Sequence, residues 1–428
     1  QPRSRGLGDV YKRQLLKYLV IILMTVIFMI VLLNQFAPIL IKVPNKDTQE
    51  IKINFDEMPI RKNFNQQGKT AKNIILMIGD GMGANQVLTY RIAKGGPNYL
   101  TSFDKFPITG LVKTHSVNTL ITDSAAAATA YSTGSKTINR YIGVDKNGKD
   151  LTNLTEILYE KGFVSSLIAT SEVTHATPAA FAAHNISRYD DDGLAEDFFK
   201  SNIYMLLGGG RDFFLPKSEG GQRSDELNLI EGILSSSHLL EDKKDLEEFK
   251  HKDKKRIFGL FAEEELIRSA NEPNLTEMLK FSISNSELMV DEGCNGFFVM
   301  AEGSQIDWAG HDNDFDTMFK EMEEFDNAVE AALNYAKINE DTLLVVLADH
   351  ETGGLLLEMD DLRYGPSKNM RLSWNTAIGK GSHTGAMIPV YAFGPGAEMF
   401  SGIMDNTDVF FAMNKAVDVN SLSEYTCH

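Results

Sequence analysis

Beyond residue 70 the chain repeats one pattern: a short, unbroken apolar run followed at once by glycine and polar residues. Asn73-Ile74-Ile75-Leu76-Met77-Ile78 runs into Gly79-Asp80-Gly81-Met82-Gly83, and Phe297-Phe298-Val299-Met300-Ala301 runs into Glu302-Gly303. Leu343-Leu344-Val345-Val346-Leu347-Ala348 leads to Asp349-His350-Glu351-Thr352-Gly353-Gly354, and residues 164–169, apolar apart from Ser165-Ser166, lead into Thr170-Ser171-Glu172-Val173-Thr174-His175. Runs of this length without polar alternation suit strands buried on both faces of a parallel sheet. Between them, residues 151–161 and 315–338 place apolar positions at helical spacing among acids. The alternation predicts an α/β fold: a doubly wound, mostly parallel central sheet flanked by helices. Open sheets of this kind bind ligands at the carboxyl ends of their strands. Four runs that deliver acids or histidine to that one edge describe a metal site.

The length of 428 residues, with 43% apolar and 24% charged residues, excludes a small disulfide scaffold and wholesale disorder. The 42 Lys and Arg against 59 Asp and Glu leave a net charge of −17, a field that repels phosphate backbones. No nucleic-acid binding is expected, and a small anionic substrate needs local positive charge from arginine or metal. Residues 218–273 are richer in charge, including His251-Lys252-Asp253-Lys254-Lys255-Arg256, and read as a solvated peripheral insertion. Cys294 and Cys427 are too far apart for a zinc knuckle or a redox pair. They can pair with each other only if the C-terminal tail folds back against the segment before the Phe297 strand.

At the other end, residues 15–33 are apolar apart from Lys17 and Thr25, with Lys12 and Arg13 on the N-terminal side. This is an export signal, and the lack of a clear small-x-small cleavage site favours an uncleaved anchor over a cleaved signal peptide. The basic flank would stay in the cytoplasm and the body would sit outside, periplasmic or extracellular, held to the membrane if residues 15–33 remain. Residues 1–14, QPRSRGLGDVYKRQ, look like a non-native leader, and 34–70 read as a polar tether. Residues 71–428 then form the catalytic domain.

Thr122-Asp123-Ser124 precedes Ala125-Ala126-Ala127-Ala128-Thr129-Ala130-Tyr131, so Ser124 stands where a strong helix former begins. Exposed amides and the positive dipole end there favour a phosphate and a serine alkoxide alike. The surroundings are not a Gly-x-Ser-x-Gly elbow, which leaves metal activation as the route to a nucleophile.

Six blocks in order, Gly79-Asp80-Gly81-Met82-Gly83, Thr122-Asp123-Ser124-Ala125-Ala126, Thr177-Pro178 with Arg188, Glu302-Gly303 with Asp307 and His311, Ala348-Asp349-His350-Glu351-Thr352-Gly353-Gly354, and Gly381-Ser382-His383-Thr384-Gly385, resemble the alkaline phosphatase family. The resemblance implies two Zn2+ ions and a third metal, usually Mg2+. Asp307, His311 and His383 would hold the first zinc, and Asp307 and His311, four apart, share one face if helical. Asp80, Asp349, His350 and the Ser124 hydroxyl would hold the second. Asp80, Thr177 and Glu302 would hold the third ion, an oxygen set suited to a hard cation. Arg188, oriented by Asp123, would clamp phosphate, and Ser124 would attack a phosphate monoester to form a phosphoserine that water hydrolyses to inorganic phosphate.

The chain departs from the best-known bacterial members at two positions near the phosphate and third metal, with His175 in place of an aspartate and Trp308 in place of a lysine. Imidazole favours zinc or cobalt over magnesium, which opens the identity of the third ion. His184 reads as structural, and Glu351 as a support behind the metal ligands. Within the superfamily, a sulfatase would need a Cys-x-Pro-x-Arg nucleophile, and diesterases generally carry a threonine and lack the clamping arginine. Gly79-x-Gly81-x-Gly83 lacks full dinucleotide-binding spacing. A non-catalytic, metal-stabilised surface protein would be expected to have lost a ligand or the serine, and none is missing. Family members are commonly homodimers.

Overall fold

The computed structural model describes residues 17–19, 22–26, 68–359, 370–376 and 382–428, which fall in two compact units, Gln1–Glu57 and Met58–His428. In the first unit the described residues, 17–19 and 22–26, are helical. The rest of the 15–33 segment read as an anchor, the 1–14 leader and most of the 34–70 tether lie outside the described residues. Among the described residues no helix is long and apolar enough to cross a membrane.

The second unit is built on β1 (Asn73–Gly79), β2 (Ile108–Lys113), β3 (Phe163–Glu172), β4 (Met205–Gly209), β5 (His238–Leu240), β6 (Ile257–Leu260), β7 (Gly296–Gly303), β8 (Thr342–Leu347), β9 (Glu351–Thr352), β10 (Leu355–Met359), β11 (Met370–Trp374), β12 (His383–Thr384), β13 (Ile388–Phe393) and β14 (Gly402–Asp405). Among the described residues, ten of them form one sheet in the order β14-β2-β13-β8-β1-β7-β3-β4-β6-β5. The four apolar runs of the sequence are β1, β3, β7 and β8, and they occupy four adjacent central places. β1 pairs in parallel with β7 (Ile75↔Val299) and with β8 (Ile75↔Leu344). β13 is antiparallel to both its neighbours. Successive residues of a strand face opposite sides, so the complete burial of β1, β7 and β8 means that both faces of the sheet are covered.

One cover comes from the helices Leu275–Asp291 and Phe315–Ile338, which pack on each other and on β7. In the second, Met318, Met322, Phe325, Val329 and Leu333 recur at helical spacing as a buried stripe, and the Asp314 side chain caps the N-terminus. The Ala-rich helix Ser124–Thr133 is buried on every side and packs against Asn406–Ala416, an approach that small side chains permit. Residues 218–273 are more than surface decoration, since they supply β5 and β6 and so extend the sheet at its edge. A disulfide joins Cys294 to Cys427, fastening the C-terminal tail beside the start of β7.

Candidate metal centre and phosphate pocket

The parallel topology brings the carboxyl ends of β1, β7, β8 and β3 to one edge, and the chemistry follows from what stands there. Asp80 follows β1, Glu302 lies at the end of β7, Asp349 and His350 follow β8, and His175 and Thr177 follow β3. Asp80, Glu302, Asp349, His350 and Thr177 have no more than trace solvent exposure. Gly81 lets this edge close. Its φ is +71°, and a Cβ there would lie 2.8 Å from the Asp307 Cα and 2.9 Å from the Thr352 hydroxyl.

Three groups of side chains converge closely enough to share an ion: Asp307, His311 and His383; Asp80, Asp307 and His350; and Asp80, His175 and Glu302. In the first, the helix Gln305–Asp312 puts Asp307 and His311 one turn apart, with His311 Nε2 3.2 Å from Asp307 Oδ2. His383, on β12, brings its Nε2 within 3.2 Å of His311 Nε2. His383 Nδ1 donates to the Thr122 carbonyl at 2.8 Å, which leaves Nε2 as a bare lone pair facing the group. In the second, His350 Nε2 lies 3.1 Å from Asp349 Oδ2, 3.5 Å from Asp80 Oδ1 and 3.3 Å from the Ser124 Oγ. Asp349 Oδ1 accepts from the Gly81 amide at 3.1 Å and from the His350 amide at 2.9 Å, so its Oδ2 is the atom directed inward.

Fit to metal is testable on atoms left without partners. Asp80 Oδ1, Asp349 Oδ2, Glu302 Oε1 and Thr177 Oγ1 are all buried with no hydrogen bond. Buried polar groups are otherwise almost always paired, and a concentration of inward oxygen atoms is the donor set a divalent cation needs. The electrostatics agree. Burial, with Asp349 and Asp307 nearby, holds Asp80 well above the carboxylate range, and burial lifts Glu302 to about 8. Burial also opposes the charge on Asp307, yet the hydrogen bond to His311 and the nearby His350 and His383 keep it well below its ordinary value. Carboxyls crowded this closely require added positive charge to ionise together.

Ser124 opens the helix Ser124–Thr133, and Asp123 rather than Ser124 is the cap, its Oδ1 accepting from the Ala126 amide at 3.0 Å. The serine hydroxyl is thereby spared and lies 3.5 Å from Asp80 Oδ2. Asp123 Oδ2 accepts from Arg188 Nη1 at 3.3 Å and from the Arg140 amide at 2.9 Å. Arg188 Nη2 donates to His175 Nε2 at 2.9 Å, which places the His175 proton on Nδ1. Burial, then the Arg188 charge, push His175 down to about 3, so it stays neutral. The Trp308 ring stands edge-on to His175, with centroids 6.1 Å apart. Ser124, Asp123, Arg188, His175, Trp308, Asp307, His311 and His383 all line one open pocket of about 660 Å³.

Every site residue named from the sequence thus lies at this edge. His184 lies away from it, between the Gly143 carbonyl and Glu156. Glu351 accepts from Gln86 Nε2 at 2.9 Å and from the Thr384 hydroxyl, bracing β9 against β12. Three contributors were not read from the sequence. The Thr352 hydroxyl donates to Asp307 Oδ1, Gln86 holds Glu351, and Arg140 sits between Asp123 and Arg188. Thr352 lies inside a block already noticed; Gln86 and Arg140 carry no local signal.

The chain matches the alkaline phosphatase family over residues 71–368. It is 34% identical to alkaline phosphatase 3 of Bacillus subtilis strain 168, covering 82% of this chain and 89% of that protein. It is 27% identical to the alkaline phosphatase of Escherichia coli K12, covering 82% of this chain and 86% of the relative. The alkaline phosphatase of the Antarctic bacterium TAB5 superposes with a TM-score of 0.72 at 32% identity, over 82% of this chain and 99% of that one. A variant of the TAB5 enzyme holds magnesium at its M3 site. With the site geometry and these relatives together, the chain belongs to the alkaline phosphatase family and is a phosphomonoesterase.

Proposed function

We propose that this chain hydrolyses phosphate monoesters through a phosphoserine at Ser124. The observation that carries the reading is the Ser124 hydroxyl at a helix N-terminus, 3.3 Å from His350 and 3.5 Å from Asp80, in one pocket with Arg188. Asp307, His311 and His383 would hold one zinc, Asp80, Asp349 and His350 with Ser124 a second, and Asp80, Thr177 and Glu302 a third ion, Mg2+ or, with His175 beside it, Zn2+ or Co2+. When bound, such ions lower the pKa of an attached hydroxyl or water and neutralise charge on a leaving oxygen.

The residues of the chain do the remaining work. Arg188 presents a planar fork to two phosphate oxygens, and Asp123 on one side and His175 on the other hold its plane. His175 acts on substrate through Arg188, as an acceptor that its burial keeps uncharged. Helix amides at Ser124 face the same phosphate. Ser124 Oγ forms the new bond to phosphorus as the ester P–O bond breaks and the alcohol departs. Water then cleaves the Ser124–phosphorus bond, releasing inorganic phosphate and regenerating the serine. Trp308 lines the same pocket beside His175, an uncharged ring where the resemblance places a lysine, which alters the affinity for phosphate.

Export to the periplasmic or extracellular side accords with the 15–33 apolar segment and with the Cys294–Cys427 disulfide, a bond that persists in oxidising compartments. Membrane attachment through residues 15–33 and a homodimeric assembly belong to the same proposal. The test of the activity is hydrolysis of p-nitrophenyl phosphate at pH 8–10 before and after chelation, with zinc, magnesium or cobalt restored, beside Ser124→Ala. Activity lost with chelator, regained with metal and absent in the variant is expected. A folded, metal-loaded protein without activity on monoesters would refute the proposal.

A further inference from the structure

Ile138 to Tyr141 forms a β-turn in which the Tyr141 amide donates to the Ile138 carbonyl at 3.1 Å, and Arg140, its third residue, has φ +76°. That position suits glycine or asparagine. The backbone of Arg140 clamps the phosphate machinery: its amide donates to Asp123 Oδ2 at 2.9 Å and its carbonyl accepts from the Arg188 amide at 2.8 Å. Glycine would make both bonds with less strain, so what arginine adds here is its side chain. That side chain is exposed, lines the pocket mouth, and lies over the Tyr189 ring at 5.7 Å from the centroid. Tyr189 is itself 68% exposed, so the stacked pair stands on the rim facing solvent. Among the described residues the Arg140 guanidinium pairs with no carboxylate, whereas Arg188 is engaged by Asp123 and His175. A chain of net charge −17 thus keeps an uncommitted, planar cation at the entrance of an anion pocket.

We propose that Arg140, stacked on Tyr189, is a second anion subsite that selects substrates whose leaving group itself carries a phosphate, as in a nucleoside diphosphate. The inference rests on the phosphomonoesterase reading of the Ser124 pocket. With the terminal phosphate on Arg188, the inner phosphate would turn toward Arg140, which lines the same pocket. Ser124 Oγ bonds to the terminal phosphorus, the bridging P–O bond breaks, and its electron pair leaves on the nucleoside monophosphate. Water then hydrolyses the phosphoserine, so that one water is consumed and one proton is released to solvent.

The test compares ADP with AMP, which differ by the second phosphate, using the metal-loaded full chain, Arg140→Gly and Arg140→Lys. The readout is the ratio of initial-rate kcat/KM for ADP to that for AMP, which cancels any loss of folded protein within each variant. Arg140→Gly, which suits the turn, is expected to lower the ratio about tenfold, mainly through KM for ADP, while Arg140→Lys, which keeps the charge but not the planar stack, is expected to lower it less than Arg140→Gly. Raising salt is expected to lower the wild-type ratio more than that of Arg140→Gly. A ratio within about twofold of wild type in Arg140→Gly, with AMP still hydrolysed, would overturn the subsite and leave the phosphatase reading standing. No hydrolysis of either nucleotide by the wild-type chain would overturn both.

Discussion

At the scale of single residues, the site works by leaving the right atoms unused. Asp123 caps the helix with one oxygen and gathers Arg188 and the Arg140 amide on the other, so the hydroxyl of Ser124, the next residue, is not spent on capping and is free for the nucleophilic role proposed for it. Asp123→Ala removes the carboxylate that orients Arg188, and we expect kcat/KM for a monoester to fall about tenfold to a hundredfold, read by steady-state kinetics. A purely structural role for the cap would lower thermal stability without raising KM. Thr352 plays the corresponding part for metal, since its hydroxyl fixes Asp307, which also faces His311. Thr352→Val is expected to weaken zinc affinity about tenfold to a hundredfold, measurable by competition with a chromophoric chelator. Retention of wild-type affinity would show that Asp307 is held by its helix alone.

At the scale of elements, the segment carrying Thr177 and Arg188 is tied to its neighbours through His184. One ring nitrogen of His184 faces the Gly143 carbonyl at 2.8 Å and the other faces Glu156 at 3.0 Å. Both partners accept, so only the imidazolium satisfies both. The hydrogen bond to Glu156 leads the causes that push His184 up to about 9, Asp150 adds to it, and the Asp197 carboxylate receives the His184 amide at 3.1 Å. A histidine raised above its ordinary value of about 6.5 contributes stability in full below that pH and loses it as pH rises through the folded value. We therefore expect the melting temperature to drop by a few degrees between pH 8 and 10, and the drop to be smaller in His184→Gln. Parallel wild-type and variant curves across that range would remove His184 from the account.

At the scale of the whole molecule, two fastenings lie far apart in sequence. The disulfide bridges Cys294 and Cys427 across a separation of 133 residues. Replacing both cysteines with serine is expected to cost about 2–4 kcal/mol, seen as a lower denaturation midpoint. A metal held by the orphaned oxygens would fasten β1, β7, β8 and β3 at their carboxyl ends. Because the buried carboxyl groups there repel one another, chelation should lower the melting temperature and zinc should restore it in Ser124→Ala as well as in wild type. If chelation left the melting temperature unchanged, the orphaned oxygens at this edge would not be metal ligands.

The strands were legible because a strand buried on both faces is mostly apolar, and these short runs, unlike the longer 15–33 segment, end at once in glycine or polar residues; β3 keeps the pattern although it buries Ser165 and Ser166. Their order was not. That β1, β3, β7 and β8 lie side by side, and that the charged stretch 218–273 lends β5 and β6 to the same sheet, depends on pairings such as Ile74 with Phe298 and Met205 with Ile257, between segments that no local pattern connects. The residues of the site were legible for a related reason: carboxylates and histidines placed directly after buried strands have little other use. Asp307 and His311 could be joined from sequence because the helix sets their spacing. His383 could join them only through the resemblance, since its approach is made by the pairing of β12 with β9. Gln86, Thr352 and Arg140 act through hydrogen bonds that no local pattern encodes. What the sequence determined by itself is the set of buried runs and the chemical groups at their ends, because burial and valence are properties of each residue in its neighbourhood. Which atoms face one another, which nitrogen of His175 and His383 holds the proton, and which arginine is left uncommitted were decided only by the tertiary structure, because distance and direction across the sheet edge exist only once the chain has folded.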